Sequence, residues 1–493
     1  MRPIVLVHGY STEGKDSSVE EIYGTLPADL RHLFGPDVIQ EINLARWISL
    51  SDGTSLDDVS FALERALRSP AHVHLLETRF HTVIHSTGAL VVRNWMRLFP
   101  RRPSPIENLV HLAGANFGSG LVHVAQGELA RWTRVLQGVD RGLRVLNELE
   151  LGAWKTLDLH LHFLQDHSRI YEDYRVQEFC AIGSQTLGFL RVVPIRYVKE
   201  DSADCTVRTS AGNLNFNYVT VEPKPEALDL SVSQVRERIQ RRLDDQRIPM
   251  ELYRFGLSRL ASTRREIPFA VLYETAHIGS DLGIVKGAKT REQVLPLVQE
   301  ALDTPYDENA YRQVAVNWAQ VTRRTQARAG KLTRNPIDWN IHRQYEGHSQ
   351  LIFRVRDQYG LDVEHCDITF KSNRQKQRTR LEKMIEDRHD NRLHPGTRTY
   401  YLRTQRFVEK NGDKQRIDLL DMAVPAHFEI TGYEPNSDEI DYLPMTIDVP
   451  PALLRDLIQP FRTTVLDVTL LRLPSEKVFS LQASADGSTP VGG

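Results

Sequence analysis

The first 115 residues alternate short β-branched runs with stretches of helical periodicity, and this alternation constrains the fold more than any other feature. The strand-like runs include PIVLVHG, DVIQEINL, RFHTVIHS and IENLVHLAG, and helical patterns such as SLDDVSFALERALRS and GALVVRNWMRLF separate them. Strands joined through helices are typical of right-handed βαβ units, which build parallel sheets. The runs are almost continuously apolar, as expected for strands covered on both faces. The sequence therefore predicts an α/β domain with a parallel sheet.

Changes of pattern divide the rest of the chain. We predict an α/β domain over residues 1–290, a helical connector over 291–335, a mostly β, sandwich-like domain over 336–482 and a disordered tail over 483–493. The first domain is expected to carry two helical insertions, at about 118–170 and 222–265, because the strand pattern is interrupted there. Inside the second domain, a charged segment from about Gln375 to Arg392 reads as a solvated helix.

Composition excludes several classes of protein. Lys and Arg number 62 against 64 Asp and Glu, so no overall positive field favours nucleic acid. The three cysteines are odd in number and lack a zinc spacing, and we expect neither a metal nor a cofactor. The apolar run Ile4 to Val7 is too short for a signal peptide, and no run approaches the length of a membrane span. We expect a cytoplasmic protein without a transmembrane segment, while export without a signal peptide and the oligomeric state stay open.

The segment HTVIHSTGAL supplies a candidate nucleophile, Ser86. It stands between a predicted strand and a predicted helix, and Gly88 follows two residues later, as in the second half of the G-x-S-x-G nucleophile elbow. Ile84 occupies the position of the first glycine. The alternative is an ordinary serine at the N-terminus of a helix.

Two later loops supply a candidate acid and a candidate base. Asp204 follows the predicted strand VVPIRYV, and His277 follows the predicted strand FAVLYET. In α/β-hydrolases the nucleophile, the acid and the histidine occur in this order, each after a strand. Asp201 is the main rival for the acid, whereas Asp158 lies in the first insertion.

Five blocks together carry a family resemblance. IVLVHGY, VIHSTGALVVRNW, LVHLAGANFGSG, SADCTVRTSAGNLN and AHIGSDLGIV resemble successive blocks of the α/β-hydrolase lipases and carboxylesterases, most closely bacterial lipase-like proteins with an H-S-x-G elbow. The resemblance covers residues 1–290. It implies Ser86 as nucleophile, Asp204 as orienting acid and His277 as base, with backbone donors for the oxyanion at Tyr10 and Thr87. The sequence departs from the family at Ile84 and at Cys205, where glycine is usual.

The expected fold is thus an α/β-hydrolase with a helical lid insertion and a C-terminal β-sandwich-like domain. The expected reaction is hydrolysis of acyl esters through an acyl-enzyme, with hydrophobic esters preferred. Trp132 lies on the apolar stripe of the first insertion and could contact the acyl chain, although the same stripe suits permanent packing. Two alternatives stay open. They are a phospholipase or acyltransferase with the same triad, and a degenerate hydrolase fold that acts by binding.

Overall fold

The computed structural model describes most of the chain. The described residues are 2–8, 18–49, 51–120, 143–185, 200–224, 233–234, 253–258, 265–332, 341–372, 380–410, 413–419, 426–437 and 439–474. Tyr10, Trp132 and the tail predicted at 483–493 lie outside them.

Nineteen strands and eleven α-helices occur within these ranges. The strands are β1 Ile4–His8, β2 Ile39–Asn43, β3 Phe80–His85, β4 Ile106–Leu112, β5 Gln177–Gly183, β6 Phe216–Pro223, β7 Tyr253–Ser258, β8 Phe269–Leu272, β9 His348–Asp357, β10 Cys366–Ser372, β11 Ile385–Asp390, β12 Thr397–Arg403, β13 Gln405–Lys410, β14 Asp413–Asp418, β15 Ala426–Gly432, β16 Ile440–Tyr442, β17 Met445–Val449, β18 Thr463–Leu470 and β19 Arg472–Pro474. The helices are α1 Val19–Tyr23, α2 Leu26–Phe34, α3 Leu56–Leu67, α4 His74–Glu77, α5 Gly88–Leu98, α6 Leu143–Glu148, α7 Trp154–His162, α8 Thr209–Gly212, α9 Arg291–Asp303, α10 Glu308–Ala329 and α11 Pro451–Leu457. Among the described residues, no helix combines the length and the apolarity needed to cross a bilayer.

The first sheet is parallel throughout, in the order β2-β1-β3-β4-β5-β8. Every residue of β1, β4 and β5 is buried, as the continuous apolar runs predicted. Helices α3 and α5 pack against each other, whereas α9 packs on β4 and α10 on β8. The predicted parallel sheet with helices is confirmed. The helices α9 and α10 of the predicted connector belong to its covering layer.

The second sheet combines strands from both halves of the chain, in the order β11-β12-β9-β18-β6-β7. Strand β18 runs parallel to both of its neighbours, β6 and β9, and the outer pairs are antiparallel. Strand β7 falls inside the range for which sequence predicted a second helical insertion. The two halves of the chain therefore share one continuous sheet.

A third sheet, β10-β15-β17, is antiparallel and packs on the second through a common apolar core. The ring centroid of Phe353 in β9 lies 5.8 Å from that of Phe370 in β10 and 6.0 Å from that of Phe428 in β15. The predicted additional β region in the C-terminal half is thus present.

The charged segment predicted as a helix from Gln375 to Arg392 contains strand β11 instead. Burial alternates along it, with Asp387 and His389 buried and Arg388 exposed. The helix prediction was wrong because the inward-facing side chains of this strand, Asp387 and His389, are polar and pair with Arg208 and Glu150 of the first half of the chain. The strand therefore lacks the apolar alternation by which a normal strand is recognised.

A buried ion pair joins α5 to the first sheet. Arg93 Nη1 lies 2.6 Å from both carboxylate oxygens of Glu178, and both residues are at most 4% exposed. Burial raises the pKa of Glu178, but attraction by Arg93 and a hydrogen bond from His111 outweigh burial and hold that pKa at about 2.

We expect Glu178→Gln to lower the free energy of unfolding by about 3–5 kcal/mol at pH 7, because it leaves the buried Arg93 charge uncompensated. The folded-state pKa of Glu178 is depressed, so the stabilisation is present above its unfolded value of 4.5 and is lost as pH falls towards 2. Urea titrations at several pH values measure this difference, which should shrink below pH 4.5. Asp281→Asn is the control, since the Asp281–Lys289 pair is exposed and is worth less than about 1 kcal/mol. Equal losses in the two variants would contradict the assignment.

Candidate active site

Ser86 occupies a sharp turn between β3 and α5. Its φ is 55°, a left-handed conformation that few residues other than glycine adopt, as is typical of the strained strand-to-helix turn of a nucleophile elbow. The N–H of Ser86 donates to the carbonyl of Leu112, and its carbonyl accepts from Ala115, so both sides of the turn are tied to the segment that follows β4. Ile84 is fully buried in β3, opposite His111 of β4, and its side chain forms part of the sheet core. The strand that leads into the turn therefore carries an isoleucine where the family usually has glycine.

His277 lies in the loop after β8 and connects the other two predicted residues. Its Nε2 is 2.9 Å from the Oγ of Ser86, and its Nδ1 is 2.9 Å from the Oδ2 of Asp204. The ring is 3% exposed. Because the Asp204 carboxylate accepts a hydrogen bond from Nδ1–H, Nε2 is the nitrogen that can take a proton from the serine.

Asp204 is fully buried in a short loop before α8. Its Oδ1 accepts hydrogen bonds from the backbone N–H groups of Thr206 and Val207, at 3.0 and 2.7 Å, which leaves Oδ2 for His277. The N–H of His277 also donates to the carbonyl of Asp204. Cys205 has a φ of 76°, which explains why glycine is usual at this position.

A second histidine, His85, packs beside the base. Its ring centroid is 4.7 Å from that of His277, and its Nε2 donates to the backbone carbonyl of His277 at 3.1 Å. Burial, with a smaller contribution from the charge of His277, holds the pKa of His85 well below its usual range. His85 is therefore a neutral donor that fixes the backbone of the base. No role for His85 was predicted from the sequence, although its position next to the nucleophile was the available signal.

The other two acidic candidates pair with arginines away from the triad. The rival acid Asp201 makes an ion pair with Arg343 instead of approaching His277, and Asp158 pairs with Arg354. Thr87, one of the two expected oxyanion donors, stands at the N-terminus of α5, where the helix dipole favours a negative charge. Tyr10, the other donor, and Trp132 are outside the described residues. Among the described residues, no cluster of three His, Cys, Asp or Glu side chains could hold a metal ion.

The comparisons with known proteins concern the fold of the chain. No family model matches the chain, and no curated protein matches its sequence. The solved structure of phospholipase PlaB from Legionella pneumophila matches with a TM-score of 0.75 and 20% identity, over 100% of this chain and 98% of that one. PlaB in complex with thio-NAD matches over the same shares of the two chains, at 20% identity and a TM-score of 0.74.

A shorter likeness concerns the mature lipase BlEst2 from Bacillus licheniformis, with a TM-score of 0.30 and 16% identity over 43% of this chain and 79% of that one. The likeness to PlaB extends over the full length, so it includes the β sheets of the C-terminal half as well as the parallel sheet. The chain has an α/β-hydrolase fold, extended by a β-rich C-terminal half.

Proposed function

We propose that the protein is a serine hydrolase that cleaves acyl esters of lipids. The observation that carries the proposal is the continuous hydrogen-bonded chain from the Asp204 carboxylate through His277 to the hydroxyl of Ser86, at the carboxyl edge of a parallel sheet. This edge is where open α/β folds bind their ligands. An activated serine, an oriented base and donors at a helix N-terminus are the parts that ester hydrolysis without a metal requires.

The proposed reaction has an acylation step and a deacylation step. Ser86 Oγ attacks the ester carbonyl while His277 Nε2 takes its proton, and the backbone N–H groups of Tyr10 and Thr87 stabilise the oxyanion. Collapse of the tetrahedral intermediate breaks the ester bond, and His277 returns the proton to the leaving alcohol. Water then attacks the acyl-enzyme by the same steps and releases the acid. Asp204 stays ionised and holds the imidazole in the correct tautomer.

A phospholipid is the ester that we propose as substrate. Support comes from the match to a phospholipase along both chains, which includes the C-terminal sheets in addition to the catalytic half. An acyltransferase with the same triad would differ only in the acceptor that deacylates the enzyme. The C-terminal sheets lie outside the triad and do not distinguish these reactions.

Labelling of the wild-type protein with a fluorophosphonate tests the proposal. We expect one label, located on Ser86 by peptide mass spectrometry, because only a serine beside a base reacts at an appreciable rate. A panel of p-nitrophenyl butyrate, trioctanoylglycerol, phosphatidylcholine vesicles and a matched amide then defines the substrate. Turnover of the phospholipid is expected to exceed that of the triacylglycerol, and the amide should not react. A label on another serine, or folded protein that neither labels nor turns over an ester, would overturn the proposal and favour a binding role for the fold.

A further inference from the structure

The segment that carries Asp204 is held on one side by residues from the C-terminal half of the chain. The hydroxyl of Tyr401, in β12, lies 2.9 Å from the carbonyl oxygen of Asp201 and 3.0 Å from that of Ser202, and donates between them. The N–H of Ser202 donates to the carbonyl of Gln344, in a 3₁₀ helix. The backbone immediately before Asp204 is thus fastened to the second half of the chain.

The other end of the same segment is held by charge. Arg208 is 2% exposed, and its Nη2 lies 2.5 Å from the carboxylate of Asp387 in β11 and 2.6 Å from that of Glu200. Its guanidinium lies over the ring of Tyr401, 4.3 Å from the centroid. A buried charge of this kind needs its partners, because an unpaired arginine in the interior is strongly unfavourable.

The segment between these two attachments contains strained backbone. Ser202 has a φ of 55° and Cys205 a φ of 76°, and both belong to the left-handed region that disfavours side chains. Such conformations persist only where the surroundings hold them. The attachments from β11 and β12 hold residues 200–209 from outside, together with contacts from Gln344, Arg343 and His277.

We propose that Tyr401 and Asp387 are positioning residues of the active site. They keep residues 200–209 in the conformation that presents the carboxylate of Asp204 to His277, so the C-terminal half takes part in catalysis through the acid. This inference rests on the proposed triad. A displacement of about 1 Å in a catalytic group can cost about 100-fold in rate, so the effect is large enough to measure.

The neighbouring residue on β12, Tyr400, provides a matched control for Tyr401. Tyr401→Phe removes the hydroxyl and keeps the ring under Arg208, whereas Tyr400→Phe removes a hydroxyl that contacts Ile368 inside the C-terminal core. Asp387→Asn removes the charge next to Arg208. We expect Tyr401→Phe and Asp387→Asn to lower kcat per titrated active site by about 10- to 100-fold with little change in KM, and Tyr400→Phe to stay within about twofold of wild type.

A double-mutant cycle separates positioning from a general loss of stability. If Tyr401 acts through Asp204, Tyr401→Phe should have little further effect on kcat in protein that already carries Asp204→Asn. An equal fold-change in both backgrounds would overturn the proposal, because the hydroxyl would then act independently of the acid.

Hydrogen exchange gives a readout that does not depend on activity. At temperatures well below unfolding, the backbone amides of residues 200–209 should exchange faster in Tyr401→Phe than in wild type. In Tyr400→Phe their exchange rates should equal those of wild type. Unchanged exchange in Tyr401→Phe would overturn the proposal. If the wild-type protein hydrolyses no ester, the proposed function fails, whereas the exchange experiment still decides whether β12 holds the segment.

Discussion

Replacing Ser86 with alanine is expected to lower ester turnover by about 10⁴- to 10⁶-fold and to abolish fluorophosphonate labelling. The substitution removes the only oxygen within hydrogen-bond distance of His277 Nε2 that the structure records, at 2.9 Å, so no acyl-enzyme can form. The folded structure should tolerate the change, because the strained turn is held by backbone hydrogen bonds to Leu112 and Ala115 that alanine also makes. Initial rates with p-nitrophenyl butyrate, compared at equal concentrations of folded protein, measure the effect.

Ser184 is a suitable control for this variant. It follows β5 at the same edge of the first sheet, is fully buried, and its Oγ has no hydrogen-bond partner among the described residues. Ser184→Ala should therefore keep turnover and labelling close to wild type. If Ser86→Ala retained turnover and Ser184→Ala lost it, the nucleophile would have been assigned to the wrong strand end.

Changing Asp204 to asparagine is expected to lower kcat by about 10³- to 10⁴-fold while labelling stays detectable at long times. The amide can donate to Nδ1 of His277, which then leaves the proton on Nε2 and removes the acceptor that Ser86 needs. The backbone donors of Thr206 and Val207 can still bond to the amide oxygen, so the loop should keep its shape. Steady-state kinetics with a phospholipid and with a p-nitrophenyl ester measure the loss.

Two aspartates serve as comparisons for that experiment. Asp281→Asn, in the exposed part of the loop after His277, should leave kcat within about twofold. Asp201→Asn tests the rival acid, whose carboxylate pairs with Arg343. A 1,000-fold loss in Asp201→Asn, together with near-normal activity in Asp204→Asn, would transfer the role of the acid to Asp201.

Much of the site could be predicted because each candidate follows a strand of the first half of the chain. The carboxyl ends of parallel strands meet at one edge of the sheet, so Ser86, placed after β3, and His277, placed after β8, were expected near each other, and the structure brings them within 2.9 Å. The role of Asp204 also required the family's order of residues, because the rival Asp201 lies on the same loop and follows the same predicted strand.

What escaped prediction involves contacts between residues far apart in the chain. Asp387 and Arg208 are 179 positions apart, and their pairing places charges on the inward face of β11, where a sequence pattern expects apolar side chains. Helical periodicity was therefore the wrong interpretation of that segment. The role of His85 was missed for a different reason. Its ring donates a hydrogen bond to the backbone carbonyl of His277, and no sequence motif indicates such a contact.

The pairing of β6 with β18 also has a consequence for biosynthesis. Strand β6 follows the Asp204 loop and the short helix α8, but its parallel neighbour, residues 463–470, is translated only after most of the chain has been synthesised. Parallel pairing over such a separation is slow and needs both strands to be present. A nascent chain that contains Ser86, Asp204 and His277 therefore still lacks the strands of the second sheet that contact residues 200–209. A Ser86–His277–Asp204 site that depends on this sheet would be complete only when synthesis has passed residue 470.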